Sequence, residues 1–186
     1  MGKTDCSDNE LIETIVSSEV IFEGRVFDCR IDDVTLSDGS PAKRELVIHT
    51  GGACILPVDS DLNCYMVKQY RSGAGEVLLE VPAGKIEKGE DPYECAVREI
   101  TEETGYRANK VESLGVVCAT PAYCSERIHM YLATDLVYDG TNPDNGEFLS
   151  TVKIPLTDLV KMCDEGIIKD AKTLICIYKA ARRLLK

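Results

Sequence analysis

Short apolar runs alternate with polar residues through the first 50 positions of the chain. They lie at residues 20–22, 26–27, 31–36 and 45–49, with SDGSP at residues 37–41 as a turn. Runs of this length predict a small antiparallel sheet. Three short strands bury little core, so we expect this sheet to pack on something larger, such as a second copy of the chain. Residues 1–18 are mostly polar, which predicts a loosely held arm.

The apolar pattern changes after Thr50-Gly51-Gly52, which predicts a boundary between an N-terminal sheet region, residues 1–50, and a main domain, residues 51–186. Strand-like runs follow at residues 53–58, 64–70, 77–81, 111–119 and 127–136, and Glu147 opens a further strand. Helical spacing occurs at residues 92–104, 155–163 and 170–185. Strands, one central helix, more strands and two final helices favour an α/β or α+β sandwich.

Local signals define the central helix. Asp91 is a good N-cap, Pro92 suits the first helical position, and Gly105 supplies a C-terminal stop. Glu99 and Glu103, four residues apart, stack on one side of the predicted helix. They lie beside a stripe that we expect to be buried, made of Tyr93, Ala96, Val97, Ile100 and Thr104. Two carboxylates are therefore predicted at the edge of a core.

Glu99, Glu102 and Glu103 crowd negative charge into little more than one helical turn. One interpretation is a solvated acidic face, which is common on glutamate-rich helices. The other is a metal site, because the helix dipole penalises negative charge at the C-terminal end, where Glu102 and Glu103 lie. Ligands that are all oxygen favour Mg²⁺ or Mn²⁺ over zinc. The spacing alone leaves both interpretations open.

The composition of the chain indicates which classes of partner it disfavours and which cellular compartment it suits. The 186 residues carry a net charge of −11, which disfavours a nucleic-acid backbone or an anionic membrane as partner. The nine cysteines are scattered without a CxxC pair, and with only two histidines a zinc site is not expected. We read these cysteines as buried thiols in a reducing compartment. No signal peptide or transmembrane segment is recognised, so a cytoplasmic protein is expected.

The central stretch resembles the Nudix box. The residues that match it are Gly84, Glu90, Arg98, Glu99, Ile100, Glu102, Glu103 and Gly105. Tyr106 departs from the box, since an aliphatic residue is usual there. Beyond the box, residues 19–178 resemble the ADP-ribose pyrophosphatase branch of the Nudix hydrolases at Arg44–Leu46, Gly52–Pro57, Gln69–Arg71, Glu80–Gly84, Pro121, Ser125–Glu126 and Asp170–Thr173. Ala122 stands where that branch commonly has glycine.

This resemblance implies a fold and a metal site. The fold would be a Nudix α/β/α sandwich with a mixed sheet, preceded by the small N-terminal antiparallel sheet. Glu99, Glu103 and the backbone carbonyl of Ala83 would bind Mg²⁺ or Mn²⁺, with Glu102 and Glu90 in support. Arg98 is a candidate catalytic residue that would hold a neighbouring carboxylate in place rather than touch the substrate.

The resemblance also implies residues that bind substrate and a general base. Arg71 would contact the diphosphate, although a surface salt bridge is the alternative. Phe22, Arg44, Glu45 and Glu80 are the other candidates, and Phe22 would equally suit a core position. The base in this branch tends to be a glutamate late in the chain. Glu147 is our first choice and Glu126 the rival, with a solvated strand end as the plain interpretation of Glu147.

The implied reaction is Mg²⁺-dependent hydrolysis of ADP-ribose to AMP and ribose 5-phosphate, with other ADP-sugars as further substrates, by a homodimer with a swapped N-terminal sheet. An alternative is a pyrophosphatase for GDP-mannose or another nucleotide sugar. A second alternative is a non-catalytic module that senses nucleotides. The full set of acidic residues disfavours a sensor, because a sensor has no need for three metal-binding glutamates.

Overall fold

The computed structural model describes residues 11–140 and 149–185, which group into two compact units. The first unit holds residues 11–49 together with Thr120–Glu126. The second unit holds Thr50–Ala119 and residues 127–185. The loop at Thr120–Glu126 lies far along the chain, so its place in the first unit is visible only in three dimensions.

The first unit contains a three-stranded antiparallel sheet with the order β1-β2-β3. Its strands are β1 (Thr14–Glu23), β2 (Asp28–Thr35) and β3 (Pro41–Ile48). The small N-terminal sheet is thus confirmed, but the predicted loose arm is wrong for residues 14–18, which pair with β2. The sequence of β1 is rich in β-branched residues, which suit a strand even where the side chains stay exposed.

The second unit contains two sheets and three helices. One sheet has the order β10-β5-β6, and the other is a mixed sheet with the order β7-β4-β9-β8. The strands are β4 (Gly52–Pro57), β5 (Asn63–Arg71), β6 (Glu76–Glu80), β7 (Ala83–Lys85), β8 (Tyr106–Cys118), β9 (Arg127–Tyr138) and β10 (Leu149–Pro155). The helices are α1 (Pro92–Thr104), α2 (Leu156–Asp164) and α3 (Ala171–Leu184).

Strand β4 is buried on both faces, and this creates the layers of the second unit. Ala53 and Ile55 pack in one apolar cluster with residues of α1. Cys54, Leu56 and Val58 pack in a second cluster with residues of α2 and α3. Because side chains alternate along a strand, a continuous apolar run can serve two cores. The predicted α/β/α sandwich with a mixed sheet is therefore confirmed.

Helix α1 has the bounds that its sequence predicts. The Asp91 side chain accepts a hydrogen bond from the Tyr93 backbone N–H, and Gly105 ends the helix with φ 74°. The expected buried stripe is wrong in part: Tyr93 is 47% exposed, whereas Glu99 is 8% and Glu103 2% exposed. The helix is rotated so that its two carboxylates are covered rather than placed at the edge of the core.

In the part of the chain that the structure describes, no helix is both long and apolar enough to cross a membrane.

Candidate functional site

Glu99 lies against the backbone of Gly84. Gly84 is the first residue of the acidic motif, the stretch Gly84–Gly105 that resembles the Nudix box. A Cβ atom built on Gly84 would be 1.6 Å from Glu99 Oε1, well inside van der Waals contact. Gly84 belongs to β7, where it pairs with Ala53 of β4. Only glycine leaves space for the carboxylate here. In this structure, Gly84 makes room for Glu99.

We predict that Gly84→Ala lowers kcat/KM about tenfold, because the added methyl group displaces the Glu99 carboxylate at an overpacking cost of about 1–3 kcal/mol. Steady-state kinetics and a thermal melt measure the two effects. Gly73→Ala is the matched control, since its φ is not positive and a Cβ there would meet nothing within 4 Å. Equal kinetics for both variants would contradict this account of Gly84.

Arg98 binds three carboxylates on and beside α1. Its guanidinium lies 3.0 Å from Glu90 Oε1, 2.6 Å from Glu99 Oε1 and 2.9 Å from Glu102 Oε2. The hydrogen bond from Arg98 is the main cause that holds the pKa of Glu90 below its usual value. Arg98 thus contacts acidic side chains, as the sequence suggested, and it reduces the repulsion among them.

Glu103 is buried one turn further along α1. Its Oε2 accepts a hydrogen bond of 3.1 Å from the Ala83 backbone N–H. Its backbone carbonyl accepts a hydrogen bond of 2.9 Å from Thr151 Oγ1 of β10. The predicted ligands Ala83 and Glu103 are therefore neighbours, although they are 20 residues apart in the sequence.

A cavity of about 560 Å³ opens beside the acidic cluster of α1, which consists of Glu99, Glu102 and Glu103. Among the residues that line it are Gly84, Lys85, Lys88, Arg98 and Glu99. Its wall combines carboxylates with lysine and arginine side chains. Such a mixture suits a polyanionic ligand that binds together with a cation.

The donor atoms at this site fit a hard divalent cation, because they are carboxylate and carbonyl oxygens. Within residues 11–140 and 149–185, no three Asp, Glu, His or Cys side chains are grouped as a ready metal site. Arg98 engages Glu99 and Glu102, which accounts for part of this arrangement. The lack of a side chain on Gly84 lets the Glu99 carboxylate lie against the backbone next to Ala83. The residues present therefore fit such a metal in chemistry.

Arg71 ends β5 and forms a two-point ion pair with Glu80 at the end of β6. Arg71 Nε lies 2.8 Å from Glu80 Oε1, and Arg71 Nη2 lies 2.8 Å from Glu80 Oε2. The Arg71 side chain is 39% exposed, whereas that of Glu80 is 1% exposed. Arg71 is thus able to meet a ligand, while Glu80 faces Arg71 rather than solvent.

Lys172 of α3 is a second cation that contacts Glu80. It is a residue of this site that the sequence did not predict. Its Nζ lies 2.5 Å from Glu80 Oε2 and 3.0 Å from Asp170 Oδ2. The available signal was the sequence Asp170-Ala171-Lys172-Thr173, in which an N-cap aspartate precedes a threonine by three residues. That pattern predicts a helix start, but nothing in it predicts a strand carboxylate 92 residues away.

The remaining candidates for substrate binding lie in the first unit. The ring of Phe22 is 52% exposed and 6.0 Å from the ring of Phe27, so it is not part of the core. Arg44 forms an ion pair with Glu13. A cavity of about 470 Å³ in this unit is lined by residues that include Ile21, Cys29, Ile31, Glu45, Val47 and Tyr123. Glu45 is the predicted binding residue that faces this cavity.

The two candidates for the general base have different positions. Glu126 lies in the first unit, where its Oε1 is 3.6 Å from His49 Nδ1 and its side chain is 29% exposed. Glu147 lies outside the described residues. The assignment of the base therefore stays a prediction.

Comparison with known proteins agrees with the motif. The NUDIX domain family matches residues 48–174. An ADP-ribose pyrophosphatase of Bacillus subtilis is 37% identical over 90% of this chain and 91% of its own length. A methanol dehydrogenase activator of Bacillus methanolicus is 36% identical over 94% of this chain and 96% of its own length. GDP-mannose pyrophosphatases also match, over smaller shares of the chain.

A solved structure agrees with the fold. The crystal structure of an ADP compounds hydrolase superimposes with a TM-score of 0.81 at 26% sequence identity. The match covers 94% of this chain and 95% of that chain.

Proposed function

The chain belongs to the NUDIX domain family and is a hydrolase, and we propose that it hydrolyses the diphosphate of ADP-ribose to AMP and ribose 5-phosphate, and that of other ADP-sugars to AMP and the corresponding sugar phosphate. The observation that carries this proposal is the pair of buried carboxylates, Glu99 and Glu103, beside Ala83 and Gly84. Burying two carboxylates is costly unless positive charge meets them. The likeness to an ADP-ribose pyrophosphatase over nine-tenths of the chain supports the choice of substrate.

The cofactor in this proposal is Mg²⁺, with Mn²⁺ as a substitute. Glu99, Glu103 and the Ala83 carbonyl would hold it, with Glu102 in support. When bound, a divalent cation neutralises phosphoryl charge and lowers the pKa of water. Arg98 holds the carboxylates of Glu99 and Glu102 in position, with ion-pair distances of 2.6 and 2.9 Å.

Arg71 would bind the diphosphate, because its guanidinium is partly exposed and remains charged. The hydrogen bonds to Glu80 are the main cause that raises the pKa of Arg71 above its usual value. A planar guanidinium offers two parallel N–H donors to phosphate oxygens. A glutamate then accepts the proton of the attacking water, with Glu147 as our first choice and Glu126 as the alternative.

The first unit would supply the contacts to adenine and the dimer interface. Phe22 and Arg44 are the proposed adenine contacts, and Glu45 lines the neighbouring cavity. Exposed apolar side chains on β1 support a homodimer with a swapped N-terminal sheet: Ile15 is 57%, Val16 69%, Val20 52% and Ile21 56% exposed. Several large apolar side chains exposed on one strand are typical of an interface. Residues 1–50 are accordingly proposed as the dimerisation region.

A charge on β1 is expected to break the dimer. We predict that Val20→Glu converts a dimer to a monomer in analytical ultracentrifugation, because a buried unpaired carboxylate destabilises an apolar interface. Ile167→Glu is the matched control: Ile167 is 53% exposed, as Val20 is 52% exposed, but it lies in the second unit after α2. A Val20→Glu protein that stays dimeric would rule out this interface.

The location proposed for the protein is the cytoplasm, a reducing compartment. The eight described cysteines are thiols, and the sulfur atoms of Cys54 and Cys176 lie 3.7 Å apart without a disulfide.

The function is tested with a substrate panel. The protein is incubated with Mg²⁺ and ADP-ribose, ADP-glucose, GDP-mannose or a dinucleotide, and product formation is followed by chromatography. We expect the highest kcat/KM with ADP-ribose and equal amounts of AMP and ribose 5-phosphate. A preference for GDP-mannose would overturn the proposed substrate. Inertness toward the whole panel would instead indicate a module that senses nucleotides.

A further inference from the structure

A closed set of charged and polar side chains joins the start of α3 to the end of β6. Asp170 caps α3, and its Oδ2 accepts a hydrogen bond of 3.0 Å from the Thr173 N–H. The Thr173 hydroxyl in turn accepts a hydrogen bond of 3.0 Å from the Val81 N–H. Lys172 contacts both Asp170 and Glu80. Because Glu80 directly precedes Val81, these contacts form a closed ring.

The charges in this set balance. Arg71 and Lys172 are the two cations, and Glu80 and Asp170 are the two anions. Burial disfavours the charged form of Lys172, but the attraction of Asp170 and Glu80 outweighs it and leaves the pKa of Lys172 above its usual value. Lys172 is therefore a cation, with a side chain that is only 12% exposed. A group so well covered acts on its neighbours rather than on a ligand.

We propose that Lys172 is a positioning residue for the diphosphate: it shares the Glu80 carboxylate and so leaves the Arg71 guanidinium a surplus of positive charge for the substrate. Without Lys172, the full charge of Glu80 would be directed at Arg71, and the set would carry one net negative charge. A net negative charge next to Arg71 repels a diphosphate. This inference rests on the proposed function, in which Arg71 meets the diphosphate.

The same contacts link Lys172 to the metal ligands. Glu80 and Val81 come just before Ala83, whose N–H donates to Glu103. Thr173 fixes the Val81 backbone from the other side. Residues 80–83 therefore carry both Glu80, the partner of Arg71, and Ala83, the proposed metal ligand, and contacts from α3 hold this short segment in place.

The test measures the binding of two probes, ADP-ribose (as its methylene analogue, which cannot be hydrolysed) and inorganic pyrophosphate, by isothermal titration calorimetry with Mg²⁺ present, so that the proposed metal site can fill and no turnover occurs. We expect Lys172→Met to weaken both probes by roughly tenfold to a hundredfold, the range for a lost charge-assisted contact. Lys172→Arg keeps the charge and is expected to retain most of the affinity. Lys169→Met is the control, because Lys169 forms a similar pair with Glu76 of β6, at 2.7 Å, but both side chains are exposed.

A double variant separates the electrostatic role from a merely structural one. Glu80→Gln together with Lys172→Met restores the charge balance without leaving a buried charge unpaired, so affinity should return to within about threefold of the wild type. If Lys172 serves only to stabilise the fold, the double variant will bind no better than Lys172→Met, and the inference is wrong. A thermal melt of each variant shows that it is folded.

The two probes keep this inference distinct from the proposed function. Binding of pyrophosphate that depends on Lys172, with no binding of ADP-ribose, would overturn the proposed substrate and leave the role of Lys172 intact. Binding of both probes at wild-type strength by Lys172→Met would overturn the role of Lys172 and leave the substrate intact. A wild-type protein that binds neither probe would overturn both.

Discussion

Glu103→Gln is expected to lower kcat by about a thousandfold, the largest effect of any single substitution considered, because it removes a carboxylate ligand of the cation that would neutralise the developing phosphoryl charge. Glu103 is 2% exposed, and its Oε2 accepts a hydrogen bond from the Ala83 N–H. The amide oxygen of glutamine can still accept that bond, so the fold should survive. The measurement is kcat for ADP-ribose at saturating Mg²⁺.

The control for this substitution lies on the same helix. Glu94 is in the first turn of α1 and is exposed, so Glu94→Gln makes the same chemical change away from the acidic cluster. We expect its kcat to match the wild type. Titration of each variant with Mn²⁺ gives a second readout, in which Glu103→Gln alone should weaken metal binding. Normal turnover by Glu103→Gln would remove this residue from the metal site.

Glu147→Gln is expected to lower kcat by about a hundredfold with substrate binding retained, because loss of a general base slows proton removal without removing a substrate contact. The parallel variant is Glu126→Gln, which removes a carboxylate that already has His49 as a partner at 3.6 Å. We expect this second variant to keep near-normal kcat. The two residues are compared by kcat at saturating ADP-ribose and by KM.

The opposite pattern would assign the base to Glu126. A normal kcat for both variants would move the base into the acidic cluster of α1. A pH profile adds a second criterion, because loss of the base removes the acidic limb from the dependence of kcat on pH.

Local sequence determined the position of α1. Asp91, Pro92 and Gly105 satisfy the ends of a helix through neighbours in the chain, and the helix has the bounds that they predict. The acidic motif was equally visible, because its spacing is local. The rotation of the helix could not be predicted from the sequence. Cys95 and Ala96 pack against Ala53 and Ile55 of β4, and this packing turns Glu99 inwards. An apolar pattern cannot predict that a carboxylate will be buried.

The sequence also predicted the small N-terminal sheet, but the predicted first strand began near residue 20, whereas β1 begins at Thr14. Thr14 and Ile15 pair with Thr35 and Val34 of β2, and these hydrogen bonds decide the start of the strand. An exposed strand such as β1 carries a weak local signal at its ends, because the neighbouring strand supplies most of the stabilisation.

By itself, the sequence determined the elements whose signals lie within a few residues: the caps of α1, the acidic motif and the continuous apolar run of β4 that separates two layers. The tertiary structure decided which charges meet. Arg98 binds Glu90 from before the helix, and Lys172 reaches Glu80 across 92 residues. The physical reason is that an ion pair depends on distance in space, whereas sequence patterns record only distance along the chain.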